Sequence, residues 1–311
     1  MQLNKLEKEF YIGQIATEKA VLKSLKRQYE LALSDIVNRI RILQSDELTN
    51  SRIYQIDYQK ALKAQVEAIL DKLQADEYDT IHRYLKESYT DGFVGAMYTM
   101  SAKDGIHVIT PIDQKAAVKA IVTDSKLSVP LYASLGHDMD KLKTTIREQI
   151  TRGIATGQPY ARIARQISER ADVSFNNAKR IVRTEAHRIQ EESADDARRT
   201  AKAKGADVVK QWDASLDAKT RPTHRRLDGQ IREIDEPFEV DGREVMYPGQ
   251  FGDPAQDCNC RCVALTRARW ALDESELDIL KQRAEYFGLD KTKDFEDYKK
   301  KYLKAAKAEE K

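Results

Sequence analysis

The chain has 311 residues, a third of them charged, with 7% aromatic residues, 13 glycines and 7 prolines. That balance is wrong for a β-sandwich and favours long, well-solvated helices, with length enough for two domains or one domain with helical extensions. A net charge of +2 rules out a generic polyanion binder, and no apolar run is long enough to span a bilayer.

Charge is nevertheless unevenly placed. Residues 141–204 carry fifteen Lys/Arg against eight Asp/Glu, whereas 227–257 carry two Arg against nine acids. A basic helical block beside an acidic loop predicts a polyanion-facing surface with an internal counter-surface, or a protein-binding one. The start of the chain, Met1-Gln-Leu-Asn-Lys-Leu-Glu-Lys-Glu9, is charged and amphipathic, unlike a signal peptide. All three cysteines fall within 258–262. Without an export signal they read as thiols or metal ligands before disulfides, in a protein made in the cytosol.

In chain order, apolar residues from Leu3 to Leu43 recur at spacings of three and four, which predicts a helix. Asp46 or Thr49 is placed to cap a second helix through Tyr54, Tyr58, Leu62, Val66, Ile69, Leu70 and Leu73. A third is expected from about Asp76 to Met100, using Ile81, Tyr84, Leu85, Tyr89, Phe93 and Met97. These stripes predict a helical bundle, the tyrosine-rich one being alternatively a partner groove. Residues 101–138 are broken: a turn at Asp104-Gly105, a short strand over Ile106–Thr110, a helix from Pro111 through Ala117 and Ile121, then Pro130 and Gly136. The expected boundary is near 138, leaving a helical domain over 1–138.

Beyond it, Leu142, Ile146, Ile150 and Ile154 make an i, i+4 row that ends near Gly157. Pro159 sits where a first helical turn tolerates proline, ahead of Ile163 and Ile167, and Ser174 is expected to cap a long helix closing at Gly205. Short alternating runs follow: Val208–Trp212, a hairpin over Phe238–Tyr247 turning at Asp241-Gly242, and a strand over Cys262–Leu265. From Arg267 onward the pattern is helical and highly charged, expected as a partly frayed tail over 267–311. The fold class predicted is mainly α with a smaller α+β C-terminal module, long helices packed on a small antiparallel sheet.

On the long helix, Ala178, Ile181, Val182 and Ile189 share one direction, and Glu185 falls inside that stripe. A carboxylate there needs a partner. Arg221 and Arg225 are the expected ones, the alternative being a metal ligand or general base. His187 points away from the stripe and is expected to be solvated beside Arg183. Cys260 and Cys262 are two apart, so on a strand both thiols leave one face, and Cys258 as well. With His224 they form a soft S/N set suited to Zn²⁺. Zinc knuckles more often use Cys-x2-Cys, and buried free thiols beside a turn-bonded His224 are the alternative. Arg162, Arg165, Lys179, Arg180, Arg198, Arg199, Lys202 and Lys204 are candidates for sequence-independent contact with double-stranded DNA, or simply a solvated surface. The sequence has no phosphate-cradling glycine loop, no His-Glu-x-x-His and no nucleophile elbow.

Several of these features stand in one order: Arg183-Thr-Glu185, Gly205, Trp212, Arg221-x-x-His224, Leu227-Asp-Gly229, Tyr247-Pro-Gly249 and Asn259-Cys-Arg-Cys262. Together, over roughly 139–266, they resemble the phage Mu protein F-like domain of tailed-phage minor head (head-morphogenesis) proteins. The resemblance implies a protein encoded beside the portal that binds the portal vertex and the capsid or its scaffold. It implies few copies inside the procapsid and virion, and for some members non-specific DNA binding and DNA delivery. Arg183, Glu185, Trp212, Arg221, His224, Gly229, Cys260 and Cys262 are then structural residues with no turnover and no required cofactor, a structural zinc on His224, Cys260 and Cys262 being the one metal in question. Cys258 is additional to the family's Asn-Cys-Arg-Cys ending. Some relatives carry a toxin domain after this module; the 49 residues after Cys262 are mostly charged helix, too few for a typical catalytic domain. The rival reading is a metal-dependent nuclease or transferase using His224, Glu185 and the cysteine cluster.

Overall fold

The periodic N-terminal half folds into two long helices, α1 (Lys5–Ser45) and α2 (Arg52–Asp104). This computed structural model describes residues 5–45, 52–104, 108–122, 131–156, 158, 160–268, 289, 292 and 294–309. The expected caps Asp46 and Thr49, the turn at Gly105, Pro130, Pro159 and much of the C-terminal tail lie outside the described residues. The second and third expected helices are one. Between Leu73 and Ile81 runs Gln-Ala-Asp-Glu-Tyr-Asp-Thr, with neither glycine nor proline to stop a helix.

Val108 and Ile109 are buried, yet 108–110 form no strand. The backbone of Thr110 is satisfied by a side chain instead: its N–H donates to the Tyr302 hydroxyl (3.2 Å), which donates to its C=O (3.1 Å). Helix α3 (Gln114–Val122) begins after Asp113 and not at Pro111. The Asp113 carboxylate accepts the Lys115 N–H at 2.8 Å, the role of an N-cap. Then come α4 (Leu131–Ala155), which runs through Gly136, and α5 (Tyr160–Ala203). Ser174 caps nothing. It lies buried inside α5, where a serine not needed at a cap turns its hydroxyl to a tertiary partner, the Tyr29 hydroxyl 3.3 Å away. Gly205 ends α5 as expected: with φ +94°, its N–H donates to Lys202 C=O while the Ala206 N–H donates to Ala201 C=O, the paired bonds of a Schellman motif.

The chain forms two compact units, both discontinuous in sequence. One comprises Glu18–Arg83 with Val129–Val182; the other comprises Met1–Thr17, Tyr84–Ser128 and Arg183–Lys311. Each therefore draws on both sides of residue 138. In the first, Tyr29, Ile36 and Ile40 of α1 and Val66 and Leu70 of α2 pack with Leu142, Ile146 and Ile150 of α4 and Ile163 and Ile167 of α5.

That core also holds Glu77, which accepts the Tyr29 hydroxyl at 2.9 Å. Burial pushes its carboxyl from 4.5 up to about 7, opposed by the Tyr29 hydrogen bond and helped by Asp138. Because the folded value lies above the unfolded one, the folded state holds the extra proton between those limits, and stability falls as pH rises through them. Glu77→Gln keeps an acceptor for Tyr29 and removes the charge. It is expected to match the wild type near pH 4 and to exceed it by about 3 kcal/mol near pH 8, read by urea unfolding at both pH values. A difference that does not vary with pH would show that Glu77 is charged in the folded protein at neutral pH.

The second unit carries all the described strands. β1 (Val208–Asp213) lies between β2 (Ile231–Glu233) and β5 (Val263–Ala268), both antiparallel to it, with Trp212 opposite Ala264. β3 (Phe238–Val240) and β4 (Arg243–Val245) form the expected hairpin. Its two turn residues, Asp241 and Gly242, have φ of 52° and 72°, the left-handed pair that a type I′ turn requires. Two short helices, α6 (Pro222–Leu227) and α7 (Pro254–Asp257), occupy the loops.

The last described helix, α8 (Phe295–Glu309), is not frayed. Phe295, Tyr298, Tyr302, Ala305 and Ala306 are buried, and the Tyr298 hydroxyl lies 3.0 Å from that of Ser101. Their spacing makes an apolar stripe that the surrounding lysines mask in composition. Among the described residues no helix is long and apolar enough to cross a membrane.

Candidate functional site

Polar chemistry in the second unit concentrates where α6 and the segment before β5 meet beneath Trp212. Pro222 fits the first turn of α6 because its φ is preset and its missing N–H costs nothing there. His224 and Leu227, three apart, both turn inward and are buried. The chain leaves the helix through Gly229 at φ +78°, whose N–H donates to Trp212 C=O (2.8 Å), while Asp228 accepts the Ala214 N–H (2.7 Å). The Leu227-Asp-Gly229 motif thus ties α6 to β1.

On the other wall, Asp253 caps α7 by accepting the Ala255 N–H. Asn259 then takes φ 53°, a conformation Asn tolerates, and its N–H donates to the Thr184 hydroxyl of α5 (3.2 Å). From there the chain is extended, so Cys260 and Cys262 point inward. Arg261 between them points out to Asp217, held by two hydrogen bonds of 2.6 and 2.7 Å. Cys258 does not join them. It ends α7, half-buried, because 254–258 is a helical turn and not a strand; its carbonyl accepts from Arg221 at 2.6 Å.

His224 Nδ1 lies 3.2 Å from Cys262 Sγ and 3.6 Å from Cys260 Sγ, and these three donor atoms fall within 4.8 Å of one another. All three residues are buried. The imidazole stacks on Phe251 (centroids 5.3 Å apart, 17° between planes) and meets the edge of Trp212 at 6.0 Å. The hydrogen bond to Cys262, together with burial, pushes the Cys260 thiol up to about 11, against the pull of His187 and His224. A thiol so held is a poor nucleophile and packs as a small apolar group unless a cation takes its proton.

His187 is thus misplaced by a helical wheel built on one stripe. It is half-buried, not solvated, and its Nε2 is buried without a hydrogen-bond partner among the described residues. From Thr184 to Ile189 every residue of α5 but the half-buried His187 is buried, so this part of the helix is covered on most sides. Glu185 is buried in an ion pair, but with Arg188 at 3.0 Å and not with Arg221 or Arg225. Arg188 spreads its guanidinium over Glu185, Glu192 and the Ala120 carbonyl (2.6 Å). Arg225 bonds instead to the carbonyls of Thr220 and Asp217. Gly249 of Tyr247-Pro-Gly249, at φ +88°, packs so near Arg188 that a Cβ would come within 3.3 Å of its Cα.

Two further residues of α5 were not singled out by sequence for what they do. Glu191 accepts the Ala264 N–H at 2.9 Å and Arg198 donates to the Ala264 C=O at 2.8 Å, so both outward groups of β5 at that position are satisfied by side chains. Arg198 is fully buried and cannot meet DNA, because its guanidinium is committed to that carbonyl and to the nearby Asp195. Arg199 and Lys202 are ion-paired with Asp235. Arg162, Arg180 and Lys204 are exposed, Arg165 is exposed with an i, i+4 pairing to Glu169, and Lys179 is half-buried. The basic block and the acidic loop therefore partly neutralise each other.

Residues 144–265, which hold α5, the sheet and the His224/Cys260/Cys262 cluster, match the family model described as Phage Mu protein F like protein. The chain is 31% identical over 270 residues to the NAD(+)–arginine ADP-ribosyltransferase EFV of Enterococcus faecalis, an alignment covering 85% of this chain and 55% of that protein. It is 28% identical over 269 residues to Minor head protein GP7 of Bacillus phage SPP1, covering 84% of this chain and 86% of that one. The chain thus spans little more than half the length of the Enterococcus relative. No solved structure matches it. Arg183-Thr-Glu185, Trp212, His224 and Asn259-Cys-Arg-Cys262 all lie inside the matched segment, and by that match the chain carries a phage Mu protein F like domain over residues 144–265.

Proposed function

We propose that this chain is a minor head protein of a tailed phage, a structural and assembly component and not an enzyme. The observation that carries this is the alignment with Minor head protein GP7, which takes in 84% of this chain and 86% of that protein, so that nearly a whole head protein is reproduced and not one shared module. In this reading the protein binds at the portal vertex inside the procapsid, meets the capsid or its scaffold, stays in the virion, and serves head morphogenesis and DNA packaging or ejection. Exposed Arg162, Arg165, Arg180 and Lys204 supply weak, sequence-independent contact with the packaged duplex.

The second reading, a transferase, is favoured by the name of the Enterococcus relative. Both relatives align with about the same share of this chain, and 45% of the transferase lies outside its alignment. We assign the transfer chemistry to that remainder. The local geometry supports the same assignment: Glu185 is held by Arg188, and His224, Cys260 and Cys262 are buried.

The test is quantitative mass spectrometry of density-purified particles from the source phage or an induced lysogen. The expected result is this protein in the particles at a few copies per portal ring. Abundant protein in the lysate with none in the particles would overturn the head-protein reading.

A further inference from the structure

We infer that His224, Cys260 and Cys262 form a structural zinc site and that His187 supplies its fourth ligand. This does not depend on the head-protein reading. At a tetrahedral zinc, with Zn–S near 2.3 Å and Zn–N near 2.0–2.1 Å, an imidazole nitrogen and a thiolate sulfur sit about 3.5 Å apart. The two N···S distances here are 3.2 and 3.6 Å, and both converge on one nitrogen, Nδ1 of His224. The donors come from two elements brought together only by folding: α6, and the extended segment before β5. Alternation around Arg261 aims both sulfurs inward, so the Cys-x-Cys spacing that departs from the common knuckle is accommodated by strand geometry and not by a turn.

A structural zinc takes four protein ligands, and a closed, apolar-walled site leaves the fourth to a side chain. His187 answers that requirement. It lies on α5 outside the three-atom cluster as it stands, and its Nε2 is buried with no hydrogen-bond partner among the described residues, an arrangement that costs free energy unless a ligand satisfies it. The surrounding wall is Trp212 and Phe251. Binding releases the two thiol protons to solvent, leaving two thiolates that neutralise the ion's charge. The site would join α5, α6 and β5, three elements far apart in sequence.

The experiment uses the full chain. Protein from zinc-supplemented culture is denatured and its metal counted, and a second sample is stripped and reloaded with Co²⁺. About one zinc per chain is expected, with the thiolate-to-cobalt charge-transfer band and intense visible bands of a tetrahedral site. Folded protein without zinc, giving no such bands, overturns the proposal in favour of free thiols hydrogen-bonded to His224. His187→Ala should weaken zinc by more than the roughly 10–100-fold that loss of an outer partner costs. A smaller effect would place His187 outside the coordination shell. Cys258→Ser, altering the thiol that does not face the cluster, should leave the zinc content unchanged, and its loss would overturn the ligand assignment.

Discussion

Arg198→Ala is expected to remove about 3–5 kcal/mol of unfolding free energy, because it strips the partner from buried charges instead of deleting a surface contact. Arg198 comes from α5 and is fully buried; its Nη1 holds the Ala264 carbonyl at 2.8 Å and its Nη2 lies 3.7 Å from Asp195. Without it Glu191 remains as a buried carboxylate, Asp195 keeps only Arg199 and the more distant Lys210, and the Ala264 C=O loses its bond. Burial already pushes the Glu191 carboxyl up to about 7, held down by Arg198 and the Ala264 N–H. Removing Arg198 raises it further, so the variant's Glu191 takes a proton at a higher pH than the wild type's. The deficit should therefore be larger near pH 8 than near pH 5, where protonation leaves no charge to bury. Paired replacement, Arg198→Met with Glu191→Leu, should cost less than Arg198→Ala alone if the damage comes from uncompensated charge, and the double-mutant cycle measures that coupling. A cost below about 1 kcal/mol for Arg198→Ala, flat with pH, would place the guanidinium in water instead.

That pair also shows where sequence reading ran out. Arg198 and Glu191 sit in a helix whose composition is basic and polar, and neither signals burial. What buries them is β5, an edge strand whose outward backbone groups need partners, and its pairing is with residues fifty or more positions earlier. His187 was missed for the same reason. A helical wheel assumes one buried face, but α5 is covered on most sides from Thr184 to Ile189. Local signals fared better where the physics is local. Asp241-Gly242 specified its hairpin through the left-handed conformations that a type I′ turn needs, and Gly205 specified the end of α5. The pairing of His224 with Cys260 and Cys262 was legible in part, since only the soft donor set was on the page. That Cys258 stands apart was signalled only by the family resemblance, since its physical cause is the helical turn from Pro254 to Asp257 followed by a left-handed Asn259. The helix count erred by division: Ser174 and Asp76 look like starts, yet without a glycine or proline before them the preceding helix runs on.

Trp212→Ala is expected to cost about 3–5 kcal/mol, the range for emptying a large aromatic site in a packed core. Trp212 is fully buried in the small core of the sheet, with Leu227, Phe238, Val245, Cys260 and Cys262 in the same cluster. Its ring meets Phe238 edge-on at 5.2 Å and Phe251 at 6.2 Å, besides His224. The contrast with phenylalanine discriminates between volume and hydrogen bonding. Trp212 Nε1 is buried without a partner among the described residues, so Trp212→Phe gives up no hydrogen bond and removes an unsatisfied donor. Its cost should be only about 1 kcal/mol, from lost ring area. Because Trp212 walls the His224 side of the cluster, the two variants should also differ in chemistry at a distance from the mutation. Under native conditions Cys260 and Cys262 should react with a thiol reagent faster in Trp212→Ala than in Trp212→Phe, with Cys258 equally reactive in both. Equal losses for Phe and Ala would mean that the indole N–H is bonded after all, and that its partner, more than the ring, holds the sheet to α6.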